Sequence, residues 1–212
     1  PFLGDNAGWV VVYTALIMMI LRFYAGPIVH RISPLGLLAL SSAIALVGLI
    51  ILSSATGFMI FIAATIYGLG KTFFWPTMLG VAGERFPKGG ALTLNAITGV
   101  GMLAAGVFGA AFLGNIQDKQ IDRDLFAQSP IVHANVMGDE KSSIFGDYKP
   151  IDQQKVGSLS ASDKSVISNI QTNAKQGALS TVAIFPAIML VSYLGMMMYF
   201  RSIGGYRPIH LN

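Results

Sequence analysis

One lysine, Lys71, stands inside an apolar run that extends from Phe58 to Val81. On membrane-insertion scales a charge near the middle of such a run costs ~3 kcal/mol or more. A lysine held there either faces a water-filled cavity, where its ammonium binds a polar solute or responds to protonation, or snorkels to a carbonyl along a neighbouring helix. The other apolar runs carry no carboxylate at matching depth. At helical spacing Tyr67, Lys71, Phe74 or Trp75, and Met78 share one face. There Trp75 offers a ring for stacking on a sugar-like solute, while Tyr67 and Lys71 offer hydrogen bonds. The plainer alternative is that the aromatic residues only pack.

Gly68, Gly70 and Pro76 bracket the same stretch as hinge candidates, because a proline removes one backbone donor and kinks a helix. Asn95, in the next apolar run, either lines the same pathway or bonds between helices. Other chemistry has little to work with. No catalytic triad or phosphate-binding glycine loop is present, and His30, His133 and His210 are scattered. Asp118, Asp122 and Asp124 form the nearest thing to an acidic cluster, and their spacing reads as a solvated helix start. No metal site, cofactor or enzymatic activity is expected.

The elements that must carry these residues follow from composition. Hydrophobic residues make up 53% of the chain and charged residues only 11%, against about 25% charged in a typical soluble domain. The apolar residues come in blocks: Trp9 to about Val29, Leu35 to Leu52, Phe58 to Val81, Leu92 to Leu113 and Leu179 to Phe200. Each block is long enough to cross a hydrocarbon core of ~30 Å at ~1.5 Å per helical residue. None shows the period-two alternation of a barrel strand. The fold class expected is an all-α membrane protein with five visible transmembrane helices, joined by short turn-forming connectors that make neighbours antiparallel.

Between the fourth and fifth blocks lies a polar insert, 115–177, which holds every acidic residue except Asp5 and Glu84. Two helices are expected in it: one from Ser129-Pro130 to Val136, and one starting at Ser160 or Ser162 and reaching Ala174, since serine caps and first-turn prolines suit helix starts. In the fourth block Gly101, Ala105 and Gly109, and likewise Gly106, Ala110 and Gly114, repeat every fourth residue. Such small-residue stripes let helices approach closely.

The net charge of +4 comes from no basic run, so nucleic acid is not an expected partner; the bilayer is. Arg22, Arg31, Arg85, Lys88, Arg201 and Arg207 all fall on one side of the five-helix topology. By the distribution of Lys and Arg in short loops that side is cytoplasmic. The C-terminus is then inside, the insert outside, and the location a plasma membrane of the bacterial inner-membrane kind. The absence of cysteine excludes disulfides and thiolate ligands. Because the chain starts at Pro1, a truncated start is expected.

The segment Arg22-Phe23-Tyr24-Ala25-Gly26-Pro27-Ile28-Val29-His30-Arg31 resembles the eighth helix and following loop of a major facilitator superfamily transporter. Gly26, Ile28 and Arg31 match that loop signature. His30 replaces its aspartate, Ser33 its second glycine, and Pro34-Leu35 its basic pair. Tyr67 through Pro76, followed by Glu84-Arg85-Phe86-Pro87-Lys88-Gly89-Gly90, resembles the tenth helix and the loop to the eleventh. The resemblance implies that the five helices are the eighth to twelfth of a twelve-helix bundle. It also implies alternating access and a central site shared with an N-terminal half, so the missing half of the same chain becomes a partner. The expected function is secondary transport of a small polar solute, sugar-like or a related metabolite, with proton coupling open. The alternatives are a membrane-embedded enzyme or sensor using the insert, and a non-transporting scaffold.

Topology is directly testable in a chain without cysteine. Ser160→Cys is expected to react with an impermeant thiol reagent added outside intact cells, and reaction only from the cytoplasm refutes the orientation.

Overall fold

The computed structural model describes residues 7–24 and 32–209. Among them the fold is all-helical; two isolated bridges, Met137 with Ile151 and Lys141 with Tyr148, are the extended pairings. The helices are α1 (Ala7–Phe23), α2 (Pro34–Leu52), α3 (Met59–Lys71), α4 (Phe74–Arg85), α5 (Gly90–Leu103), α6 (Ala110–Gln128), α7 (Pro130–Val136), α8 (Gln153–Gly157), α9 (Ala161–Val182) and α10 (Ile184–Ser202). Three helical stretches are long and apolar enough to cross a membrane: Pro34–Leu52, Pro87–Gln128 and Ala161–Ser202. The shorter Val11–Phe23 is also apolar. The remainder of the first predicted block, with the loop residues Gly26 and Arg31, lies outside the described residues.

Three predicted boundaries need correction. The run 58–81 is two helices, not one kinked helix, and the break falls at Thr72 and Phe73. The cause is Pro76, four residues on, whose ring excludes the Thr72 carbonyl and which has no N–H to bond it. Pro186 acts identically: α9 ends at Val182, four residues before it, and α10 starts at Ile184. The fourth block does not stop near 113, since helical backbone continues through a π turn, Ala104–Gly109, and on to Gln128. Hydropathy fell at Asn115 but helix propensity did not. The insert helix starting after Ser160 likewise extends past Ala174 to Val182.

The chain divides into two compact units, one made of residues up to Val100 with those from Ser180, the other of Gly101–Leu179. In the first, α2 is the hub and packs against α3, α4 and α10, while α1 packs on α3. Leu35, Leu37, Leu38, Ala45 and Leu49 of α2 are buried. Its contact with α3 runs at backbone distance. A Cβ on Gly48 would lie 2.5 Å from the Tyr67 amide nitrogen, and one on Gly70 would meet the Ala45 backbone. The predicted stripe in the fourth block behaves differently: among the described residues nothing lies within 4 Å of a Cβ on Gly106 or Gly114. Two buried hydroxyls here are bonded to carbonyls one turn back, Ser42 to Leu38 at 2.8 Å and Thr72 to Gly68 at 2.6 Å.

The second unit has its own core of Ile121, Leu125, Val136, Ile167, Ile170 and Ala174. Helix α7 forms at its predicted bounds, although the Ser129 side chain makes no capping bond. At α9 the Ser160 hydroxyl does cap, accepting the Asp163 amide at 3.2 Å. Buried Asn115 donates to the Ser143 hydroxyl and the Gly146 carbonyl, fixing the 143–146 turn.

The two close approaches set a stability test. Gly48→Ala and Gly70→Ala are each expected to cost about 1–3 kcal/mol through overpacking against backbone. Gly80→Ala, with nothing within 4 Å, should be neutral or gain up to ~1 kcal/mol. Unfolding of the protein in detergent micelles measures all three.

Candidate functional site

The break between α3 and α4 assembles the first candidate site. Lys71 is the last residue of α3 and is half-buried. Its ammonium lies 5.0 Å from the centre of the Tyr67 ring, and among the described residues no carboxylate is paired with it. Two effects hold the charge there. A cation over an aromatic face gains ~0.5–2 kcal/mol, and a cation at a helix C-terminus gains ~0.3–1 kcal/mol from the aligned carbonyls. Together they contribute ~1–3 kcal/mol. Lys71 is therefore retained with its charge uncancelled by any carboxylate in the described structure.

The same break separates residues predicted to share a face. Tyr67 and Lys71 stay together on α3, whereas Phe74 and Trp75 begin α4 and make no ring contact with either. Trp75 is 39% exposed and Phe74 half-buried. Asn95 lies exposed on α5, with no hydrogen bond from its side chain among the described residues. Of the three hinge candidates, Gly68 packs toward Thr14 of α1, Gly70 is locked against Ala45, and Pro76 lies in the first turn of α4. Position matters more than residue type: the discontinuity is at Thr72 and Phe73, residues that carried no sequence signal beyond their distance from Pro76.

Glu84 and Arg85, chosen for their likeness to a loop motif, form a clasp on the C-terminal tail. The Tyr206 hydroxyl donates to Glu84 Oε2 at 2.7 Å, and the Ile209 amide donates to the Glu84 carbonyl at 2.9 Å. Arg85 Nη1 donates to the Arg207 carbonyl at 3.0 Å, while its guanidinium lies 4.8 Å from the centre of the Phe200 ring. Phe200 and Tyr206 meet edge to face at 5.3 Å. The tail turns back through Gly204 and Gly205 at φ 94° and 100°, where a side chain is strained. Burial pushes the Tyr206 phenol well above its usual range, helped by the hydrogen bond and charge of Glu84 and opposed by Arg85. Sequence offered no way to pair residues 122 apart.

In the second unit the aspartates separate. Asp122 Oδ1 is 2.6 Å from His133 Nε2, and Asp124 is 3.5 Å from Arg123. Phe126 stacks edge to face on His133 at 5.3 Å. No group of three metal-ligating side chains occurs among the described residues. No protein-family model, curated protein or solved structure matches the chain.

The docked tail holds the Tyr206 proton more tightly than a free tail does. Docking is therefore constant below the usual tyrosine value of 10.0 and weakens as pH rises above it. Hydrogen exchange at the Ile209 amide should show that onset, after correction for intrinsic exchange. Tyr206→Phe should abolish the pH dependence and speed exchange roughly fivefold, the equivalent of ~1 kcal/mol for one hydrogen bond.

Proposed function

We propose that this chain is the C-terminal part of a major-facilitator-type secondary transporter, with α1, α2, the α3–α4 pair, α5 and α10 as five membrane crossings. The single observation that carries the reading is the broken helix at Lys71. Discontinuous membrane helices place half-helix termini at substrate and ion sites near the bilayer midplane. Non-helical backbone at that depth survives only against protein or water. Here α3 has 13 residues and α4 has 12, each about 20 Å long at ~1.5 Å per residue. Neither spans ~30 Å alone, so a crossing made of both puts the break, the freed Thr72 carbonyl and the Lys71 ammonium inside the hydrocarbon layer.

The chemistry on offer is a cation, a tyrosine hydroxyl, a backbone acceptor and the exposed Trp75 ring. That set suits a small polar solute with hydroxyl or anionic groups and a flat apolar face, such as a sugar or related metabolite. Solute binding at the break and rocking of the half-helices are the alternating-access elements of this reading. The insert would lie outside the cell and the clasped tail in the cytoplasm.

In the full-length protein, Lys71→Ala is expected to abolish or strongly weaken solute uptake into energised vesicles at equal expression. Lys71→Arg should not restore it fully, because a planar guanidinium is not a compact ammonium. Trp75→Ala should raise the apparent KM through a lost stacking surface. Phe61→Ala, whose ring packs on Tyr13 at 5.9 Å, should lower stability without changing selectivity. Unchanged kinetics in both Lys71→Ala and Trp75→Ala sinks the site.

A further inference from the structure

Beside the clasp, the last helix α10, the start of α2 and the folded-back tail enclose an open groove of about 810 Å³. Its lining is apolar along Leu194, Met197 and Met198, and the Gly204–Tyr206 turn makes one wall. Arg201 also lines it, exposed and with no carboxylate partner among the described residues. The volume is within the roughly 300–1,000 Å³ of ligand sites. An apolar groove with a cation among its lining residues suits an amphiphile, a long apolar tail joined to an anion. A free phosphate would leave the leucine and methionine surface uncovered.

We propose that this groove holds an anionic phospholipid, its phosphate on Arg201 and an acyl chain along Leu194, Met197 and Met198. Charge at this end of the unit agrees with the assignment. Among the described residues Arg85, Lys88, Arg201 and Arg207 are accompanied there by one carboxylate, Glu84, and Glu84 accepts the Tyr206 hydroxyl. Basic pockets between membrane helices on the cytoplasmic side recruit anionic headgroups. Methionine adapts to a chain of irregular shape. The clasp shapes the site as well, because Tyr206 is both a bond to Glu84 and part of the groove wall. The inference rests on membrane placement and on no part of the transport mechanism.

The test is native mass spectrometry of the full-length protein released from micelles that contain phosphatidylglycerol and phosphatidylcholine with identical acyl chains. The wild-type protein should retain phosphatidylglycerol about fivefold over phosphatidylcholine, the scale set by one basic residue at an anionic surface. Arg201→Gln should bring the ratio to parity and Arg201→Lys should keep most of it. Lys88→Gln, the same charge loss outside the groove, should leave it unchanged. If Arg201→Gln does not fold, Met197→Trp supplies the second arm, since filling the groove should expel both lipids. Equal retention of the two lipids by the wild type overturns the proposal, as does an equal response to Arg201→Gln and Lys88→Gln. A photoreactive side chain at Met197 that labels polypeptide in place of lipid also overturns it. Lost lipid preference with normal solute uptake supports this site and leaves the transport reading intact; lost uptake in Lys71→Ala with normal lipid retention separates the two the other way.

Discussion

The first unit depends on the backbone contact between α2 and α3. With Gly48 against Tyr67 and Gly70 against Ala45, neither helix can rotate or slide without driving a side chain into a main chain. Apolar side chains alone would not fix this register, because burial is non-directional and close packing must supply the specificity. The contact fixes Tyr67 through its own backbone, and Tyr67 in turn supplies the ring beneath Lys71. The site is therefore anchored one layer away from the residues that do its chemistry. Helix α2 extends the same influence to α4 and α10, the helices that carry the clasp and the groove beside it.

Two prolines divide long apolar runs in the same way. Pro76 and Pro186 each end the preceding helix four or five residues upstream, beside the carbonyl that the proline ring excludes. Thr72 lies at the first of these breaks and bonds its hydroxyl to the Gly68 carbonyl, so the last turn of α3 remains satisfied where the ladder stops. Such back-bonding by Ser and Thr is a known bend element in apolar helices. The result is a short stretch of polar backbone next to an ammonium, in a segment, Gly68–Phe74, otherwise built from Gly, Leu and Phe.

What could be read from residues alone was whatever local pattern determines. The α2 bounds were legible because Ser33-Pro34 opens and Ser53-Ser54 closes an unbroken apolar run. Lys71 announced itself by its cost. Helices α7 and α9 were legible in part because Ser129-Pro130 and Ser160 are start signals. At Gly106 and Gly114 no described residue fills the space the stripe leaves, since spacing shows that a helix can be approached, not that a neighbour comes. Gly48 and Gly70, each without a repeating partner at four-residue spacing, made the actual contacts. The clasp was illegible for a different reason, since Glu84 and Tyr206 meet only through the fold.

That separation also has a temporal side. Glu84 and Arg85 leave the ribosome 122 residues before Tyr206 and Arg207. At roughly 5–20 residues per second, α4 waits about 6–25 s for the groups that close over its end. During this interval α1 to α4 are already made, while the corner at Arg85 holds its charges against water. Completion of this corner thus requires that α10 has been synthesised and has reached α2, which makes the 204–209 turn a record of that docking as much as a piece of structure.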